Sequence, residues 1–260
     1  MSRAPLWLLA ALTVAALAAP AVAPYPPEQI DLSHRREPPS AAHWFGTDDL
    51  GRDVLARALH GGRVSLAVGL LSAAVAGASG MAIGGVAGYA GGLVDMVLMR
   101  GTDAMLAVPR LPLLMIVAAF VQPTVPVLVL LIGLAGWMET ARVVRAEVRS
   151  LGTRSFVESA RASGAGHSRV IVGHMLRNAA PIITVSVTLA VARGILLESA
   201  LSFFGVGVRP PAASWGNMLY QAQATMATEP WLALVPGSFI LLTTMAVNAA
   251  GERAKISDAA

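Results

Sequence analysis

The sequence predicts an all-α polytopic membrane protein with about six transmembrane helices. Three observations lead there. Hydrophobic residues fill 55% of the 260 positions and charged residues only 13%, against about 25% charged in an ordinary soluble domain, and the mean hydropathy is +0.65. Apolar runs of membrane-crossing length recur along the chain, set apart by short stretches rich in glycine, proline or charge. Arginines gather beside those runs, so the net charge of +4 belongs to membrane topology and not to nucleic-acid binding. There is no cysteine, which excludes disulfides, thiolate metal sites and cysteine nucleophiles. The sole lysine is Lys255, so the Gly-Lys-Ser/Thr of a phosphate-binding loop is absent, and any ATP that drives this protein must be bound by another chain.

The first apolar run, Leu6 to Ala23, is read as a retained first helix occupying residues 1–23. A cleaved signal peptide ending at Ala21-Val22-Ala23 is the alternative, opposed by Pro24 just after the cut. Residues 24–62 form an extracytoplasmic segment whose early prolines exclude a helix or a central strand. From Leu50 the apolar residues Leu50, Val54, Leu55, Ala58 and Leu59 share a face, which predicts an interfacial helix with Asp53 and Arg57 paired four residues apart. Helix capping and arginine pairing account for Asp48, Asp49 and Asp53 better than a metal site does. Residues 63–250 hold the remaining spans. In Val64 to Tyr89, Ser72, Ala76, Gly80, Gly84 and Gly88 recur every four residues, a ridge of small side chains for close helix packing. Met105 to Val121 contains Pro109 and Pro112, which predicts a kinked or broken span. Val125 to Met138 is the fourth span and continues through Arg142 and Arg145. Ala179 to Phe204 is the fifth and carries Arg193 and Glu198, which point about 140° apart on a regular helix and so do not pair. Gly205 to Met218 is a loop, with Trp215 suited to the membrane interface. Trp231 to Asn248 is the sixth span, and 251–260 is a polar tail.

Between the fourth and fifth spans lies the most polar long segment of the second half, Ser155 to Arg177. Ser155 and Glu158 have capping-box spacing, Gly164 and Gly166 stop the helix, and Ser168 opens a second one. Two short helices at a sharp angle make a knob facing water.

Four motifs carry a resemblance. Glu158-Ser159-Ala160 followed by Gly164 resembles the EAA loop of ABC-importer permeases, with Leu176 in its later part; His174 and Arg177 stand where that family has Ile and Pro. Phe45-Gly46-Thr47-Asp48-Asp49-Leu50-Gly51-Arg52-Asp53 resembles the Leu-Gly-Thr-Asp-x-x-Gly-Arg-Asp signature of the second permease subunit of dipeptide, oligopeptide and nickel importers. Glu198 with Leu201, Ser202 and Phe203 fits the family's Leu-x-Glu-x-x-Leu-Ser-Phe, and Pro210 to Met218 keeps its Pro-Pro-x-x-Ser-Trp-Gly-Asn-Met. Arg193 replaces a small residue of the family pattern.

The resemblance implies the MetI-like ABC permease fold and a non-enzymatic pore subunit. It implies as partners a homologous permease, one or two P-loop ATPase subunits that bind the ATP and magnesium, and an extracytoplasmic solute-binding protein. It assigns Glu158, Ser159, Ala160, Gly164, His174 and Leu176 to ATPase coupling, and Gly46, Thr47, Asp48, Gly51, Arg52 and Asp53 to the outer signature. Glu198, Ser202, Trp215 and Asn217 become candidates for the pathway or its gate, and Gly80, Gly84 and Gly88 for helix packing. Di- or oligopeptides are the expected cargo, with nickel chelates, glutathione or another small solute as alternatives. Arginines 142, 145, 149, 154, 161, 169 and 177 put the knob in the cytoplasm, and six spans then place both termini inside the cell membrane. An ion-coupled secondary transporter would need midplane ion ligands, for which only Arg193 and Glu198 qualify.

Overall fold

Residues 3–257 are described by the structure, a computed structural model. Within them the chain is helical, and its one strand-like feature is an isolated bridge between Thr47 and Asp53. The helices are α1 (Ala4–Leu17), α2 (Ala19–Val22), α3 (Val54–Ala90), α4 (Gly92–Ala107), α5 (Arg110–Val121), α6 (Val125–Leu134), α7 (Trp137–Leu151), α8 (Ser155–Ala162), α9 (Ala180–Phe203), α10 (Trp215–Ala222) and α11 (Trp231–Ser257). Helices α3, α9 and α11 are each long and apolar enough to cross a membrane. The α4–α5 pair bends by 82° and the α6–α7 pair by 43°, and each pair passes the same test taken together. With the 14-residue α1 this makes about six membrane segments.

Helix α3 is the mast. Its 37 residues span about 55 Å at 1.5 Å per residue, well beyond a ~30 Å hydrocarbon core. It touches α1, α4, α6, α7, α9, α10 and α11. The Gly80, Gly84 and Gly88 part of the small-residue ridge packs against α7 of the same chain. A Cβ on Gly80 would meet Thr140 Cβ at 2.6 Å, one on Gly84 would strike the Ala141 carbonyl, and one on Gly88 would meet the Arg145 carbonyl at 2.7 Å. The Ser72 end of the ridge, with Gly69 beside it, meets α9, a contact not foreseen: Gly69 lies under Ile195, and Gly194 under Ser72. Two such contacts let one helix hold two neighbours at close backbone distance. Helix α1 packs on α3 and α11, with Ala16 of α1 and Ala19 of α2 buried.

Several boundaries differ from the expectation. No separate interfacial helix starts at Leu50; α3 starts at Val54, capped by Asp53, and runs without a break through Gly61-Gly62. The proline pair does more than kink the third span. Helix α4 ends at Ala107, Val108 turns extended, and α5 restarts after Pro109. Ser155 is the first residue of α8 and not its cap, because the Arg154 carbonyl receives the Val157 and Glu158 N–H groups. Ser168 makes no side-chain cap; the chain winds from Arg169 to Leu176 as a π-helix that leads into α9. The last helix passes Gly251 and continues to Ser257, so the tail does not begin where the polarity does, and residues 258–260 fall outside the described residues.

Candidate functional site

Three assemblies hold the residues singled out by the sequence. The first is a knot built from residues 27–57. Asp48 is its centre. Its Oδ1 accepts from the backbone N–H groups of Leu50 (2.9 Å) and Arg52 (3.0 Å). Its Oδ2 takes the Arg52 guanidinium at 2.7 Å and lies 3.5 Å from that of Arg57. Both arginines also donate to Gln221 Oε1 of α10, and Arg57 reaches the Pro27 carbonyl. Thr47 Oγ1 donates to the His34 carbonyl and accepts from the Glu37 N–H. Asp53 does not pair with Arg57 as expected. Its Oδ1 caps α3 through Ala56 N–H at 2.7 Å, which leaves Oδ2 for His43 at 2.9 Å. Gly46 and Gly51 both sit at φ +74°, and a Cβ on Gly51 would strike the Asp31 carbonyl, so only glycine fits there. Outside this core, Ser33 and then His34 hydrogen-bond Asp31 and hold its carboxyl down to about 2, and Asp31 raises His34 in return.

Asp48→Ala leaves the buried Arg52 and Arg57 without their shared carboxylate. Removing one member of a buried pair costs about 3–5 kcal/mol. We therefore expect limited proteolysis of the segment between Tyr25 and Trp44 to rise at least a hundredfold in the purified protein. Wild-type cleavage rates would show that the knot is held by something other than Asp48.

The second assembly lies between α3, α9 and the loop into α10. Glu198 is completely buried. Ser202 Oγ donates to its Oε1 and Ser65 Oγ to its Oε2, both at 2.8 Å. Each serine in turn accepts a backbone N–H, Ser202 from Val208 (3.0 Å) and Ser65 from Trp215 (3.2 Å). The carboxylate thus ties both ends of the Gly205–Ser214 loop to the mast. Trp215 is 1% exposed, stacks on Phe239, and gives its indole N–H to the Ala58 carbonyl at 2.9 Å, so it is not an interfacial anchor. Ser214 and Asn217 form a reciprocal capping box, and Asn217 Nδ2 also holds the Ala212 and Val208 carbonyls. The sequence named four pathway candidates, and the structure brings them together. All four are buried in this chain, where they clasp the loop to its helices.

The third is the knob. Helix α8 ends in a Schellman turn: Gly164 has φ +77° and the Ala165 N–H bonds back to the Ala160 carbonyl at 3.0 Å. Val157, Val170 and Met175 are buried against Val144 and Val148 of α7, which fixes the knob to the membrane helices. Glu158, Ser159 and Gly164 stay exposed, and Ala160, His174 and Leu176 are half-buried. Phe156 and Val172 leave apolar surface uncovered. Tyr89, at the foot of the mast, hydrogen-bonds His167 at 2.6 Å.

The family model described as the inner membrane component of binding-protein-dependent transport systems matches residues 80–253. The chain belongs to this family. A second model, the N-terminal transmembrane domain of oligopeptide transport permease C, matches residues 3–39. The chain is 41% identical to a peptide permease protein of Brucella suis over 94% of its own length and 82% of that protein. It is 36% identical to the dipeptide transport system permease protein DppC of Bacillus subtilis, covering 97% of this chain and 79% of the other. The oligopeptide transport system permease protein OppC of Mycobacterium tuberculosis is also 36% identical, over 96% of this chain and 88% of that one. This permease is therefore a multi-pass membrane subunit of an ABC importer, of the C type found in peptide systems. Family members are pore subunits without catalysis of their own and work with a partner permease, an ATPase and a binding protein.

Other charges of the permease also find places. Asp95 and Arg145 form a two-pronged ion pair between α4 and α7, with Arg149 3.8 Å away, and Asp103 pairs with Arg142. Arg193 and Glu198 do not pair; Arg193 lies 2.9 Å from Glu139 of α7. Sequence reasoning missed Glu139, Arg110 and Gln221. A lone acidic residue near an apolar run gives no clue to a partner more than 25 positions away.

Proposed function

We propose that this chain forms one half of the translocation pore of a di- or oligopeptide importer and takes its power stroke through the Ser155–Arg177 knob. In this reading a separate P-loop ATPase, with its ATP and magnesium, docks on the knob in the cytoplasm, where both chain termini also lie. A homologous permease completes the pore, and a solute-binding protein delivers cargo to the outer face that carries the 27–57 knot. One observation carries the docking role. The knob pairs an exposed face, with Phe156, Glu158, Ser159 and Val172, to a buried face of Val157, Val170 and Met175 seated on α7. A push on the exposed face moves packed helices as rigid bodies and is not absorbed by a loose loop. The names of the relatives support the peptide cargo.

Gly164→Ile tests it. A β-branched residue at φ +77° costs about 1–3 kcal/mol in backbone strain, although no atom lies within 4 Å of the added Cβ. The knob should lose its Schellman turn while α7 and α9 stay folded. In proteoliposomes holding the whole importer, we expect uptake of a labelled tripeptide to fall at least tenfold with ATP hydrolysis retained. Normal uptake with normal ATPase association would remove the knob from the coupling route. No tripeptide uptake by the wild-type importer would remove the peptide cargo.

A further inference from the structure

Arg110 of α5, Glu139 of α7 and Arg193 of α9 form an ion cluster that the assemblies above leave unused. Arg110 Nη2 donates to Glu139 Oε1 at 2.8 Å. Arg193 Nη1 lies 2.9 Å from Oε2, yet that oxygen receives no hydrogen bond of proper angle. Two guanidiniums therefore share one carboxylate, and one positive charge is left over. A guanidinium carries five N–H donors, and among the described residues Arg193 has no partner but Glu139.

The position makes that surplus costly. Arg193 is 13 residues past the start of α9 and 10 before its end, about 20 Å and 15 Å along the helix, so it sits near mid-bilayer. A charge at that depth is retained where it meets water or a counter-ion. The Arg193 and Glu139 side chains are nevertheless 39% and 38% exposed. Both helix breaks arrive at this level too. Arg110 is the first residue after the α4–α5 break, and Glu139 lies in the first turn after the α6–α7 bend. An apolar cleft lined by Met105, Leu113, Leu134 and Met138 adjoins Arg110. Lipid phosphates stay about 15 Å away at the bilayer surfaces, so a headgroup does not supply the missing counter-ion, whereas an anionic group carried through the pore would.

We propose that Arg110, Glu139 and Arg193 form an anion subsite in the translocation pathway that receives the carboxylate of the transported solute, with the neighbouring cleft taking an apolar side chain. Its peptide form rests on the cargo reading above; the charge of the site does not. Glu139 holds the two arginines at one spacing and leaves the remaining N–H donors of Arg193 to bind.

The chain has no cysteine, so Leu196→Cys, one turn beyond Arg193 and 49% exposed as leucine, supplies a single thiol in it. In the assembled importer in phosphatidylcholine vesicles, a negatively charged methanethiosulfonate should modify that thiol about tenfold faster than a positively charged one. Adding Arg193→Gln should abolish the preference. No modification in any nucleotide state, as expected of a face packed on lipid or on the partner permease, or a preference that survives Arg193→Gln, overturns the site. In the second arm, Arg193→Gln alone should weaken uptake of a free-acid tripeptide several-fold and spare its C-terminal amide. Equal loss of both peptides would make Arg193 a positioning residue and overturn the carboxylate contact. A wild-type importer that carries neither peptide refutes the cargo reading, while the thiol result still decides the site.

Discussion

Gly84→Leu is expected to reduce membrane accumulation of the protein to a tenth of wild type or less. The reason lies in what faces that position. A Cβ at Gly84 would run into the backbone carbonyl of Ala141, and the same α7 backbone lies 2.7 Å from the place a Cβ on Gly88 would occupy. A side chain can swing aside, but a helix backbone cannot, so α3 and α7 must separate along their whole contact. Overpacking typically costs about 1–3 kcal/mol and more where backbone is struck. Lipid offers no hydrophobic compensation, because membrane helices associate through close van der Waals contact. Gly101→Leu is the matched control: Gly101 lies in α4 with nothing within 4 Å of an added Cβ. Membrane-fraction immunoblots and thermal unfolding in detergent should separate the two variants. If Gly84→Leu accumulates and unfolds like Gly101→Leu, the ridge does not hold α3 to α7.

That ridge was legible because its signal is periodic. Gly80, Gly84 and Gly88, four apart, lie close to one helix face, and the pattern survives without knowing the partner. The left-handed stop at Gly164 was legible for a similar reason, since glycine after a short polar helix has a local backbone meaning. What stayed hidden depended on contacts distant in sequence. Residues 54–62 contain Arg57, His60 and two glycines, a polar mixture that reads as interface. They are helical and buried because Asp48, Gln221 and Trp215 come to meet them. Trp215 looked like an interfacial residue because its N–H needs a polar partner; the partner turned out to be the Ala58 carbonyl. The π-helical Arg169–Leu176 stretch has no sequence signature at all, and nothing local in Ser168 warned that it would not cap. Glu198 stands out in an apolar run, yet its place in the sequence does not separate a carboxylate that faces a pore from one that ties a loop.

Glu198→Leu should therefore act on the Gly205–Ser214 loop before it acts on transport. Both carboxylate oxygens are taken by hydroxyls, and each hydroxyl already receives a backbone N–H from the loop or from α10. With leucine, Ser65 and Ser202 keep those N–H groups but lose the acceptor for their own protons. A buried donor left unpaired costs about 1–3 kcal/mol. Two such losses sum to roughly 2–6 kcal/mol if the site cannot rearrange. The loop residues between Gly205 and Ser214 should then detach from α3, exposing amides that are protected in the wild type. Glu198→Gln gives an intermediate case. Its carbonyl oxygen still accepts from one serine, but its NH2 group cannot accept the other serine's proton, so about half the effect should remain. Hydrogen exchange of the Val208 and Trp215 amides in the detergent-solubilised complex reads this out. We expect exchange in the order Leu, then Gln, then wild type, with tripeptide uptake falling in the same order. A Gln variant that loses uptake while Val208 and Trp215 stay protected would reverse the assignment and return Glu198 to the pathway.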